Sequence, residues 1–406
     1  MRVLIVGSGG REHALAWKLS RSSLLDELHA APGNPGIAEL GTCHPVRADD
    51  GEDLLALAQA LEIDLAVIGP EVPLVAGVAD ELRHAGIAVF GPTAAAARLE
   101  GSKSFAKEVM TAAEVPTAAT KAIARPPCVI KADGLAGGKG VFVCRTQAEL
   151  DAGLRAASAL PGPLVIEELL EGEELSVFVI TDGREALPLA AARDYKRAGD
   201  GDTGPNTGGM GAFSPVAGIG PGEVDELVDL VHRPVLAELA RRRTPFAGLL
   251  YAGLMLTNDG PRVLEFNCRF GDPETQAILP RIDGDLLAAL AAAAEGDVRG
   301  VTLEAGANAA VTVVVTGAGY PEHGDQGSAI DGVEEAEASG ALVFHAGTAR
   351  RGEQLVTSGG RILDVTGLGE DLEQARALAY DCAAKISFAG ARYRTDIALP
   401  EGSRVH

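Results

Sequence analysis

The chain reads as a multidomain protein that joins an α/β unit to α+β units. Three observations predict this. The first hundred residues alternate short apolar strands with amphipathic helices, the pattern of a parallel sheet with crossover helices. From about Gly101 the pattern changes to mixed strands and helices interrupted by glycine-rich segments. With 406 residues the chain is also too long for one ordinary core.

The elements follow in order. Arg2–Val6 reads as a buried strand, Arg11–Ser20 as a helix, Asp53–Leu61 as a helix, Asp64–Ile68 as a strand, Ala76–His84 as a helix and Ile87–Phe90 as a strand. Ligands of such sheets sit beyond the carboxyl ends of the strands. Ser104–Ala113 is helical, Cys128–Lys131, Gly140–Cys144, Leu164–Glu167 and Leu175–Thr181 are strands, and a helix lies near Ala148–Ala157. The segment from Gly199 to Gly211 is too long and polar for core, and loops of this kind are functional or disordered. A helix at Val224–Arg241, strands at Leu249–Leu256, Arg262–Asn267 and Ala310–Thr316, and a closing helix near Asp371–Ile386 complete the reading.

Composition narrows the function. The net charge of -22 argues against nucleic-acid and membrane-surface roles, which need a basic face. The five cysteines are scattered and form no CxxC, so neither a disulfide framework nor a zinc site is expected. No stretch is long enough to span a bilayer and the N-terminus lacks a signal-peptide layout. A soluble cytoplasmic protein is expected.

Four segments carry chemistry. The loop Gly7-Ser8-Gly9-Gly10-Arg11-Glu12-His13 has Glu12 where a GxGxxG fingerprint needs glycine, so it is either an anion site at a helix N-terminus or a tight turn. The stretch CVIKADGLAGGKGV, from Cys128, is no Walker A loop, because position 133 is Asp133 and Gly140 follows Lys139. Lying between two strands, it is either a flap over a triphosphate, with Lys139 and Lys131 meeting phosphates, or a flexible turn. Only eight of the 35 basic residues are lysine, so Lys103, Lys131, Lys139 and Lys196 hint that a compact ammonium is wanted there. The acidic run from Ile166 to Glu174 is either a nucleotide hinge or a solvated turn; as a hinge, Glu168 to Leu170 meet the adenine edge and Glu174 the ribose.

In VLEFNCR, from Val263, strand alternation puts Glu265, Asn267 and Arg269 on one face and Leu264, Phe266 and Cys268 on the other, against a core. A carboxylate and an amide oxygen suit Mg²⁺, and Arg269 suits a carboxylate or a phosphoryl oxygen. The alternative is a solvent-facing edge strand.

Taken together, VGSGGREHALAW, APGNPG, IGPEVPLVAGV, FGPTAAAARLEGSKSFAK, VIKADGLAGGKGV, DTGPNTGGMGAFSP, LYAGLM, LEFNCRFGDPETQ and FHAGT resemble the phosphoribosylamine–glycine ligase family over nearly the whole chain. The resemblance implies an ATP-grasp fold with an N-terminal Rossmann-like parallel-sheet domain (1–102), an ATP-grasp domain (103–306, lid about 117–182) and a small C-terminal β-rich domain (307–406). It implies ATP-dependent ligation of glycine to 5-phosphoribosylamine through glycyl phosphate, in de novo purine biosynthesis. ATP and Mg²⁺ or Mn²⁺ would be required, and a monomer or weak dimer is expected.

Residue by residue, Lys139, Arg269, Asp194 and Lys196 are implied to be catalytic. Lys103, Lys131, Gly137, Gly138, Lys139, Gly140, Glu167, Glu168, Leu170 and Glu174 would hold nucleotide, and Glu265 and Asn267 metal. Gly9, Gly10, Arg11, Glu12, His13, Glu71, Asn206, Thr207, Gly208, Gly209 and Arg269 would form the substrate wall, with the phosphoribosyl group nearest Gly9 to His13. Three departures stand out: a short segment between Thr117 and Cys128, Tyr195 where the family has His, and glycine for alanine in the flap. Other readings are a ligase with a different acid or amine, and a nucleotide sensor that has lost the chemistry; the second predicts damaged Glu265, Asn267 and Lys139, and all three are present.

Overall fold

A computed structural model describes residues 1–135 and 140–399. The N-terminal sheet is fully parallel, in the order Thr42–Cys43, Glu27–Pro32, Arg2–Gly7, Leu65–Ile68, Ala88–Phe90. Its central strand carries Val3, Leu4, Ile5 and Val6, all fully buried, because helices cover both faces. One of these, Leu286–Glu295, comes from far along the chain and packs against Ala88–Phe90. The helix Gly10–Leu19 starts where the first strand ends, with the Glu12 carboxylate closing on the Gly9 amide at 2.6 Å.

Next comes an antiparallel sheet in the order Ala186–Pro188, Glu173–Thr181, Gly248–Thr257, Gly260–Asn267. One face buries Val177, Val179, Leu250 and Ala252 against the helices Lys103–Ala112 and Arg233–Arg241. A smaller antiparallel sheet, Val141–Cys144, Cys128–Ala132, Leu164–Glu168, carries the helix Gln147–Ser158 and a small core of its own, built on Cys128, Ile130, Cys144 and Leu150. This is the lid. The five cysteines are free.

The C-terminal sheet runs Arg193–Asp194, Gly211–Ser214, Ala309–Thr316, Arg361–Gly369, Leu342–His345, backed by the helix Leu372–Ala383. Its first two strands come from the middle of the chain, so this sheet joins two sequence-distant regions through backbone hydrogen bonds. No helix among the described residues is long and apolar enough to cross a membrane.

Several elements differ from expectation. The helix expected at Ala76–His84 is two helices, Glu71–Ala76 and Val78–His84, split at Gly77, whose φ of 93° ends the first and starts the second. The Gly199 to Gly211 segment is not plain loop: Arg197–Gly199 pairs with Thr203–Asn206 in a hairpin, and Gly211–Ser214 is a buried strand. The helix expected from Val224 begins at Pro221 and includes a π-helical turn, Val228–His232. The strand Glu27–Pro32 and the helix Leu286–Glu295 are not among the expected elements, although the helix is Leu/Ala-rich, is capped by the Asp285 side chain and ends at Gly296 in the left-handed region.

A further correction concerns the strand Gly260–Asn267. Gly253 pairs with Glu265, but Leu254 pairs with Val263, so Leu264 is an extra residue in a bulge. Strict alternation fails there. Val263 and Cys268 face the core, Phe266 packs on the core and also borders the cavity described next, and Leu264 lines that cavity.

Candidate active site

A cavity of about 1110 Å³ lies between the lid, the central antiparallel sheet and the N-terminal domain. The lid side is built on lysines. Lys131 rises from the strand Cys128–Ala132 and Lys107 from the helix Lys103–Ala112, and they take one oxygen each of Glu167, both at 2.8 Å. Glu167 is 2% exposed, and two ammoniums balance its charge. Lys131 also donates to the Leu264 carbonyl, a bond the bulge makes available. Lys107 donates to the Thr117 hydroxyl and the Ala118 carbonyl, and burial lowers its pKa.

Lys103 opens the helix Lys103–Ala112, and its Nζ donates to the Gly134 carbonyl. Asp133, the residue that ruled out a Walker A loop, caps this helix: it accepts from the Lys103 amide and the Ser102 and Ser104 hydroxyls. Burial lowers the Lys103 pKa.

The sheet side is built on carboxylates. Glu265 and Asn267 line the cavity from one strand. Burial raises the proton affinity of Glu265, but Lys196, Lys131, Lys103 and Arg269 outweigh it and hold the carboxylate below its ordinary range. All these influences act at a distance. Among the described residues no hydrogen bond or ion pair reaches the Glu265 carboxylate.

Arg269 is clamped by Glu71 at 3.1 Å and Glu100 at 3.3 Å, and donates to the Phe270 carbonyl. Burial lowers its pKa, but those carboxylates win and raise it. Glu100 goes the other way, pushed up to about 6 by burial despite Arg269. Lys196 reaches Glu174 at 2.5 Å and Asp194 at 3.8 Å. Burial and the neighbouring Glu274, Glu174 and Glu265 raise Asp194 to about 8, while Lys196 stays charged. Tyr251, joined to Ser176 and to Glu274 at 2.9 Å each, closes the floor.

Of the residues expected in the site, Arg11, Glu71, Lys103, Lys131, Glu167, Glu168, Leu170, Glu174, Asp194, Lys196, Asn206, Thr207, Gly208, Glu265, Asn267 and Arg269 line this cavity. Gly137, Gly138 and Lys139 lie outside the described residues. Gly140 does not line it; its carbonyl accepts from Ala132. Gly209 does not either; it packs so closely on Pro273 that a Cβ would stand 2.3 Å from the ring.

The first loop needs correction. Only Arg11 of the run from Gly9 to His13 faces the large cavity. Glu12 turns inward to bind the Arg11 side chain and the Gly9 amide. His13 packs edge-on to Phe344, accepts from the His345 amide at 2.8 Å, and is pushed down to about 3 by burial and His345. Gly10 sits against Asp364, where a Cβ would come within 1.8 Å of a carboxylate oxygen. Gly9 instead lines a second cavity of about 420 Å³, between Ser8, Asn34 and the glycines Gly347, Gly359 and Gly360. Arg361 and Asp272, paired at 2.7 Å, border both cavities.

Sequence reading missed Lys107, Glu100, Tyr251, Glu274, Asp272 and Arg361 as cavity residues. Lys107 carried a usable signal: it lies four residues after Lys103 and so shares its helix face.

A lid sheet and an antiparallel sheet that close on a cavity lined by lysines and carboxylates define the ATP-grasp class of ATP-dependent ligases. Family models for the phosphoribosylglycinamide synthetase N domain, ATP-grasp (A) domain and C domain match residues 1–100, 101–275 and 310–400. The phosphoribosylamine–glycine ligase of Streptomyces coelicolor is 50% identical over 98% of this chain and 99% of its own. That of Brucella melitensis is 47% identical over 98% and 97%. The crystal structure of the Thermotoga maritima phosphoribosylamine–glycine ligase superposes with a TM-score of 0.86 at 37% identity, over 98% of this chain and 100% of that one. A biotin carboxylase domain from Hydrogenobacter thermophilus shares the fold, with a TM-score of 0.72 at 16% identity over 96% and 91%. The chain belongs to the phosphoribosylglycinamide synthetase family. It is an ATP-using ligase of purine biosynthesis that works with a divalent metal.

Proposed function

We propose that the large cavity is where the chain joins glycine to 5-phosphoribosylamine, giving glycinamide ribonucleotide, ADP and phosphate. The observation that carries this is the meeting, in one cavity, of Lys131 from the lid sheet and Lys103 and Lys107 from the helix Lys103–Ala112 with Glu265, Asn267 and Arg269.

In this reading ATP lies along the lid side. Leu170 and the backbone from Glu168 onward meet the adenine, Glu174 the ribose, and Lys103, Lys131 and Lys139 the phosphates; Glu167 positions Lys131. Gly137 and Gly138 are proposed nucleotide contacts, whereas Gly140 does not line the cavity. Glu265 and Asn267 fit a hard divalent ion: both offer oxygen, and the Glu265 carboxylate has no direct partner among the described residues. Mg²⁺ is the proposed ion, with Mn²⁺ able to replace it. It would neutralise phosphate oxygens as charge builds on them.

The glycine carboxylate attacks the γ-phosphorus, the bond to ADP breaks, and glycyl phosphate forms. The amine of the sugar then attacks the acyl carbon and phosphate leaves. Arg269, fixed between Glu71 and Glu100, holds carboxylate or phosphoryl oxygens; Lys196, set by Glu174 and Asp194, offers a second fixed positive charge. Asp194 lies beside Lys196 on the same wall, and the proton the amine loses on forming the amide leaves with the departing phosphate. Arg11 and Asn206 to Gly208 border the amine side, with the sugar phosphate toward Gly9. The divisions 1–102, 103–306 and 307–406 remain our domain assignment, with a monomer or weak dimer in the cytoplasm. The test is ADP release with Mg²⁺ and ATP. Release that requires both glycine and phosphoribosylamine supports the reading; release driven equally by another acid or amine overturns it.

A further inference from the structure

Arg394 is the largest of the fully buried side chains, 1% exposed, and the chemistry above leaves it without a task. Its Nε and Nη2 grip Asp396 at 2.7 and 2.6 Å. Its Nη1 reaches out of its own segment, to the Asp202 carboxylate at 2.9 Å and the Arg197 carbonyl at 3.0 Å. Both acceptors belong to the hairpin that follows Lys196 directly. The guanidinium also lies over the Tyr195 ring, 4.8 Å from its centre. Tyr195 stands between Asp194 and Lys196, and its hydroxyl accepts from the Ala398 amide at 2.9 Å.

The same segment holds the hairpin at its tip. Asp396 accepts from the Gly201 amide at 2.9 Å, and Thr395 donates twice to Asp200, at 2.8 and 2.6 Å. The segment is itself tied down by the closing helix: Arg376 donates to the carbonyls of Thr395 and Ile397, and Tyr380 bonds the Arg394 carbonyl at 2.7 Å. The hairpin needs such a mooring. Its strands are short, polar and largely open to solvent, and a two-stranded hairpin of that kind is marginal alone.

We propose that residues 392–398 form a strap that aligns Asp194, Lys196 and the glycine-rich turn after the hairpin, with Arg394 and Tyr195 as positioning residues. The C-terminal domain thereby sets the geometry of groups about 200 residues away in sequence. This rests on the placement of Asp194 and Lys196 in the active site. Arginine is required because three acceptors and one ring are met by a single planar fork, which a lysine ammonium cannot imitate.

The test compares kcat and the KM values for ATP and glycine in Tyr195→Phe, Arg394→Lys and Lys196→Ala, at ambient and at low temperature, with melting curves. The strap predicts that kcat falls roughly fivefold in Tyr195→Phe and about 10²-fold in Arg394→Lys, with KM values within about threefold. It also predicts that the losses persist in the cold, where both variants are fully folded. Losses that vanish in the cold, or that track the folded fraction, would make these residues merely structural and overturn the proposal. Lys196→Ala separates the two layers: full activity there removes Lys196 from the site and the strap's purpose with it. Lost activity there beside unaffected Tyr195→Phe and Arg394→Lys overturns the strap alone.

Discussion

The two walls of the cavity solve their electrostatics in opposite ways. On the lid wall each of three lysines already has a direct partner within the protein: Glu167 serves Lys107 and Lys131, and Lys103 donates to a carbonyl. On the sheet wall Glu265 has only distant cations, with no direct partner among the described residues. A wall that is self-satisfied must give up contacts to bind phosphates, so changes there are read in nucleotide affinity. A wall that is unsatisfied lacks a charge until a ligand brings it, so changes there are read in turnover.

The largest expected effect follows from that difference. Glu265→Gln keeps the shape but removes the charge, and kcat is expected to fall at least about 10³-fold, with the melting temperature nearly unchanged. Near-normal turnover would erase the contrast between the walls. Arg269→Lys comes next. A point charge cannot bridge Glu71 and Glu100 as the planar fork does, and kcat is expected to drop about 10²-fold. Steady-state kinetics checks both.

Lys107→Ala tests the lid wall. It leaves Glu167 with Lys131 alone, so that lysine is held more tightly and is less available to phosphate. The KM for ATP is expected to rise about fivefold with kcat nearly constant. A loss in kcat without a change in KM would show that the two walls are not separable in this way.

The smallest effect concerns neither wall. His13 and His345, at the junction of the first helix with the C-terminal sheet, are lowered to about 3 and about 4, chiefly by burial, from an ordinary 6.5. The unfolded chain therefore binds more protons than the native state across that interval. This contribution to stability is complete above about pH 6.5 and is lost progressively as the pH falls toward 4. His13→Asn, which retains an acceptor for the His345 amide, is expected to flatten the acid slope of melting temperature against pH. An unchanged slope would place the acid sensitivity elsewhere.

How legible a site residue was in the sequence depends on the element that carries it rather than on the wall it lines. Motifs confined to one strand or one strand end were readable, because period two puts Glu265 and Asn267 on one face and Lys131 at the close of a buried strand. Runs that enter a helix were not. Gly10 begins the helix Gly10–Leu19, so successive residues point about 100° apart, and Arg11, Glu12 and His13 cannot all face one ligand. The bulge at Leu264 was hidden because the extra residue is defined by pairing with Leu254, on another strand. Glu100, Asp272 and Arg361 were invisible for a related reason. Each finds its partner across a long stretch of chain, and only the folded topology brings them together.

The most direct test of the unsatisfied wall is Mn²⁺ binding in the presence of ADP, followed by electron paramagnetic resonance in the wild-type protein and in Glu265→Gln. The account predicts that the variant still binds ADP but holds Mn²⁺ at least tenfold more weakly. Equal Mn²⁺ affinity in the two proteins would contradict it.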